Sequence, residues 1–203
     1  FLNGDLEKAL KSINESLKLK PELAEAHLYH GRIMTAKGSF SEALDAFAKA
    51  MDIDRNLTEV HLYMGQVYSE QKKYNQALEA IGEALRLNPN LAEAHLHLGL
   101  LLMKDRNYND AALKFRKSLL IDPDLAEAHL GLGNVLKLRS ETSEALASYR
   151  KALKVNPDLA EAHLRVGEIH DELGETDKAL QEYRITLQND PRLAEGYLRF
   201  AAA

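Results

Sequence analysis

Apolar side chains recur three and four residues apart along this chain, in short stretches broken at regular intervals. From Asp5 to Leu19 they stand at Leu6, Ala9, Leu10, Ile13 and Leu17, the spacing of an amphipathic helix that ends before Pro21. The pattern then repeats. The hexapeptide Leu-Ala-Glu-Ala-His-Leu stands at residues 23–28, 91–96, 125–130 and 159–164, with variants at 57–62 and 193–198, and each copy begins 34 residues after the last. A fixed period of that size predicts one supersecondary unit stacked on itself, with function carried on its surface.

Each period predicts two helices and two short turns. The turn within a pair is expected near Gly38, Lys73, Arg106, Ser140 and Gly174, and the turn between pairs carries Pro89, Pro123, Pro157 and Pro191, which remove a donor and stop the preceding helix. The chain therefore reads as a single repeat array: the second helix of a partial repeat at 1–23, five full repeats at 24–57, 58–91, 92–125, 126–159 and 160–193, and the start of a sixth first helix at 194–203. Four columns carry the packing. Glycine stands at Gly31, Gly65, Gly99, Gly133 and Gly167, and alanine at Ala43, Ala77, Ala111, Ala145 and Ala179. A large residue stands at Phe47, Ile81, Phe115, Tyr149 and Tyr183, and a small one at Ala50, Ala84, Ser118, Ala152 and Thr186. Glycine inside a helix costs about 1 kcal/mol relative to alanine, so glycines in register imply close helix approach, with small residues facing large ones.

Composition narrows the function classes. With 26 Lys and Arg against 31 Asp and Glu, the chain lacks the concentrated positive field that general nucleic-acid or anionic-membrane binding needs. It has no cysteine, which removes disulfides, thiolate metal sites and cysteine nucleophiles. The longest unbroken apolar run, residues 100–103, is too short to cross a bilayer. No secretory signal opens the sequence and Phe1 is not an initiator, so the expected start lies upstream and a cytoplasmic location is the default expectation. Phosphate-loop, HExxH and GxSxG motifs are missing, so no enzyme activity and no cofactor are expected.

The columns resemble the tetratricopeptide repeat family over the whole chain. Departures are a histidine column, His27, His61, His95, His129 and His163, in place of the family's tryptophan, and Arg55 in place of its proline. The resemblance implies an all-α, right-handed superhelical solenoid of antiparallel helix pairs. Its first helices would line a concave groove for a peptide or helical segment of another protein. The family's chaperone-tail clamp is not expected, because leucine takes its lysine column and only Asn134 matches its asparagine. RNA-binding helical repeats need basic grooves and fit this acidic chain poorly.

Three further columns bear on sites. Each of Asn56, Asn90, Asp124 and Asp158 lies three residues before a glutamate of the column Glu59, Glu93, Glu127, Glu161, which is capping-box spacing. The histidines are expected to be spacers between repeats and not metal ligands, since equivalent helices lie roughly 8 to 10 Å apart. The leucines Leu28, Leu62, Leu96, Leu130, Leu164 and Leu198 would form either an exposed apolar stripe or a set covered by the adjacent first helix. Leu96, Leu100 and Met103 lie on one face of the third unit, and the positions of Leu100 and Met103 are polar elsewhere, at Arg32 and Thr35, Gln66 and Ser69, Asn134 and Lys137, and Glu168 and Asp171. The expected groove residues are Leu62, Gln66, Leu96, Leu100, Met103, Leu130, Asn134 and Lys137, with no catalytic and no metal residue. The alternatives are a structural module whose complementary array ends associate into an end-to-end homo-oligomer, and the docking array of a larger enzyme.

Overall fold

A computed structural model describes residues 3–193; the expected sixth first helix lies outside them. Eleven helices are present among the described residues: α1 (Asn3–Leu19), α2 (Ala24–Ala36), α3 (Phe40–Ile53), α4 (Thr58–Glu70), α5 (Tyr74–Leu87), α6 (Ala92–Lys104), α7 (Tyr108–Ile121), α8 (Ala126–Leu138), α9 (Thr142–Val155), α10 (Ala160–Glu172) and α11 (Thr176–Asn189). No strand occurs among these residues. The fold class is the expected one, all-α, built of antiparallel helix pairs that pack consecutively. The chain divides into two compact units, Phe1–His97 and Leu98–Ala203.

Glycine against bulk holds each pair together. A Cβ built on Gly31 would lie 2.4 Å from the Phe47 ring, and one on Gly133 would lie 2.4 Å from Tyr149. On Gly99 the gap is 2.8 Å to Phe115 and on Gly167 it is 2.5 Å to Tyr183. No side chain fits, which is why glycine's helix penalty is tolerated here. The alanine column and the small column are buried as well. Phe115 is wedged between two glycines, because Gly131 on α8 would also bring a Cβ within 2.6 Å of its ring. In the first unit the residue equivalent to Gly131 is Tyr63, and there Phe47 stacks on it at a centroid distance of 6.3 Å.

The turn inside each pair ends its first helix with a left-handed residue. Gly38 and Gly174 have φ of 77° and 73°, but Lys72, Arg106 and Ser140 take φ of 60°, 59° and 64° with a side chain attached. The left-handed residue of the second pair is thus Lys72, one position before the Lys73 expected. Around each, two backbone bonds close the helix: Gly38 N–H donates to Thr35 C=O and Ser39 N–H to Met34 C=O, and the same pair recurs at 72/73, 106/107, 140/141 and 174/175.

The turn between pairs corrects the capping expectation. The N-cap positions of α2, α4, α8 and α10 are held by Leu23, Leu57, Leu125 and Leu159, which offer no side-chain acceptor. The polar residue sits one place too early to cap. The Asp or Asn two residues before it accepts its N–H instead, as Asp54 Oδ1 does from Asn56 at 2.9 Å and Asn88 Oδ1 from Asn90 at 3.0 Å. The column glutamates do lie in the first helical turn, where they complement the helix dipole.

The histidine column ties this turn down. Nε2 of His27, His95, His129 and His163 lies 2.8, 3.0, 3.0 and 2.8 Å from the carbonyl oxygen of the proline six residues upstream. A carbonyl only accepts, so Nε2 carries the proton and donates. His163 also places Nδ1 2.6 Å from Glu182 Oε2 on α11. These contacts give the histidines a structural role that the family's tryptophan column does not foreshadow.

Candidate functional site

The first helix of each pair exposes one side, and the residues there differ from repeat to repeat. In the unit Phe1–His97, Arg32 on α2 stands over the rings of Tyr29 and Tyr63, 5.4 and 4.7 Å from their centroids. On α4, Gln66 makes a 2.7 Å hydrogen bond between its Nε2 and Nε2 of His97 on α6. Burial pushes the His97 imidazole down to about 4, so its ring is neutral at physiological pH and accepts from the Gln66 amide. Burial also lowers His61, and lowers His30 with help from the nearby His27.

In the unit Leu98–Ala203, the corresponding side holds a pocket of about 220 Å³ lined by Met103, Asn134, Lys137, Leu138, Tyr149, Arg165 and Glu168. Its polar wall is a connected network. The Tyr149 hydroxyl donates to Asn134 Oδ1 at 2.9 Å, and Asn134 Nδ2 approaches Glu161 Oε1 at 3.5 Å. Arg165 reaches Glu168 with NH1 at 3.1 Å and Glu161 with NH2 at 3.4 Å. Lys137 Nζ donates to Glu172 Oε2. Burial pushes the Tyr149 phenol far above its usual range, so it stays a neutral donor. Leu100 and Leu138 supply exposed apolar surface, 38% and 55% accessible. The lining holds no serine, cysteine or histidine, so what it offers is shape, one apolar side and a set of oriented donors and acceptors.

The expected groove residues divide on this geometry. Leu62, Leu96 and Leu130 are 0%, 5% and 8% accessible, as is the rest of their column within the described residues, so the covered arrangement holds for them and they do not form an exposed stripe. Gln66 is half-buried and bonded to His97, while Met103, Asn134 and Lys137 meet at the pocket and Leu100 is exposed. The structure adds Leu138, Tyr149, Arg165 and Glu168. Tyr149 reads in the sequence only as a large packing residue. Its hydroxyl was the signal, because a buried phenol needs a hydrogen-bond partner where Phe115 in the repeat before needs none. Leu198 and the array's far end fall outside the described residues. Among the described residues no helix is long and apolar enough to cross a membrane.

A family model described as TPR repeat matches residues 65–105 and 133–174, and three described as tetratricopeptide repeat match 92–125, 3–57 and 161–192. No curated protein sequence matches. Among solved structures, MamA aligns with TM-score 0.64 at 24% identity, covering 81% of this chain and 96% of that one. The pilF protein of Pseudomonas aeruginosa aligns with TM-score 0.78 at 22% identity, covering 98% and 90%. YrrB, described as a TPR protein with an unusual peptide-binding site, aligns with TM-score 0.60 at 19% identity, covering 94% and 99%. At these identities the likeness is one of fold.

Proposed function

This chain belongs to the tetratricopeptide repeat family, and from that premise we propose that it is a protein-interaction scaffold, holding a peptide or helical segment of a partner against the exposed side of its first helices. The repeats at 24–193 would be its working part, and contact its activity. The observation that carries this reading is the pocket at Met103, where Met103 and Leu138 give an apolar seat and Asn134, Lys137, Arg165 and Glu168 give polar selectivity. An amphipathic segment with one apolar anchor matches that surface. That the YrrB structure is described as having a peptide-binding site supports the same reading.

The buried leucines change which residues are tested. Leu62, Leu96 and Leu130 would alter stability if replaced, so the informative positions are Leu100 and Met103, with Asn134 and Lys137 beside them. Peptides selected from a displayed random library on the immobilised chain should bind Leu100→Glu/Met103→Glu at least about tenfold more weakly, the loss of a buried apolar anchor being worth 1.4 kcal/mol or more. Equal affinity for both proteins, with unchanged melting of the variant, would remove the reading.

A further inference from the structure

The second helices of the unit Leu98–Ala203 carry a surface of a different kind. Six cations, Arg116 and Lys117 on α7, Arg150, Lys151 and Lys154 on α9, and Arg184 on α11, are all exposed. Arg116, Arg150 and Arg184 stand in one repeat column and Lys117 and Lys151 in the next. None of the six makes an ion pair within the described residues. On a helix, positions i, i+3, i+4 and i+7 share a face, and those of α7 are Leu113, Arg116, Lys117 and Leu120. The equivalent faces of α9 and α11 begin at Ala147 and Gln181; one turn earlier the same faces carry Asp110, Glu144 and Asp177, and from Leu113, Ala147 and Gln181 onward no acid stands on any of the three.

The acids of these helices are confined to their N-terminal turns or are paired. Asp110, Glu144 and Asp177 sit in the first turns, and Glu182 is bonded to His163. The same face of α3 and α5 carries Asp45, Asp52, Glu79 and Glu83, so the repeat architecture does not itself require cations there. A positive face that keeps its field in this way attracts an anionic partner and steers its approach.

We propose that this face of α7, α9 and α11 binds an acidic, leucine-containing segment of a partner protein, separately from the surface described above. The apolar part of the ligand is called for by Leu113 and Leu120, 59% and 76% accessible, which flank Arg116 and Lys117 on α7. A protein segment fits better than a nucleic acid or a bilayer, because no aromatic side chain that could stack on bases or anchor at a membrane interface stands exposed on these helices: Phe115, Tyr149 and Tyr183 are buried and Tyr108 is half-buried at the start of α7.

The test uses the full chain and a fluorescein-labelled peptide of Glu-Glu-Leu repeats, with a Lys-Lys-Leu peptide as control. Phosphatidylserine vesicles and single-stranded RNA are compared in parallel. The acidic peptide should bind, the control should not, and affinity should fall as salt rises from about 50 to about 300 mM. Arg116→Glu/Arg150→Glu/Arg184→Glu should weaken binding at least about tenfold with unchanged helicity and melting, while Leu100→Glu/Met103→Glu should leave it unchanged. No binding of the acidic peptide at low salt, equal binding by the charge-reversal variant, or tighter binding to the vesicles or the RNA than to the peptide would each overturn the proposal.

Discussion

His97 makes the stability of this protein depend on pH between about 4 and 6.5. The imidazole is half-buried on α6, accepts from Gln66 at 2.7 Å, and has its proton affinity lowered to about 4 by loss of solvent. In the unfolded chain it returns to the ordinary value of about 6.5. Between those values the unfolded state binds a proton that the folded state refuses, so stability is full above pH 6.5 and declines as pH falls toward 4. The folded pKa of about 4 implies a loss of about 2.5 kcal/mol between pH 7.5 and pH 4.5. His30, His61 and His129 are shifted the same way by burial, so the wild-type curve alone does not isolate His97. Replacement by glutamine removes the titration and keeps a partner for Gln66. Urea unfolding followed by circular dichroism should show His97→Gln losing about 2.5 kcal/mol less than wild type between these two pH values. NMR titration of the His97 ring should give a midpoint near 4. Parallel curves for the two proteins, or a ring midpoint near 6.5, would refute the reasoning.

Three other expectations follow from the packing and the turns, each checked by thermal or urea unfolding. Gly131→Ala should destabilise by about 1 to 3 kcal/mol through collision with Phe115, whereas Gly82→Ala, whose Cβ would meet nothing within 4 Å, should stabilise by up to about 1 kcal/mol. Lys72→Gly, Arg106→Gly and Ser140→Gly should each stabilise by about 1 kcal/mol, because glycine takes positive φ without the Cβ clash. Arg55→Pro should stabilise by about 0.4 to 1 kcal/mol through the unfolded chain, since the equivalent position is proline in the other described turns.

Much of the fold was legible because it is written as period. Helix pairs, their turns and the glycine and aromatic columns all follow from residues at fixed spacing. Boundaries were less legible. Asn56 and its equivalents have the chemistry of a cap, but the helix begins one residue later and places a leucine at the N-cap, because Asp54 and its equivalents already hold the turn. The candidate site was only partly legible for a different reason. Leu62 and Leu100 are both apolar residues on first helices, and a leucine column alone does not say whether it is covered by the neighbouring helix or exposed.

The sequence by itself determined that this chain repeats, that its unit is a helix pair, and which columns pack inside the pair. Those properties depend on neighbours within a few turns or one period, and local spacing encodes them. Only the tertiary structure decided that the leucine column is covered, that Phe115 needs Gly131 as well as Gly99, and that Tyr149 reaches Asn134. It also decided that Arg116, Lys117, Arg150, Lys151, Lys154 and Arg184 stand exposed with no ion pair within the described residues. Each of these rests on distances between side chains of different helices, which are fixed when the helices pack and not by the pattern along any one of them.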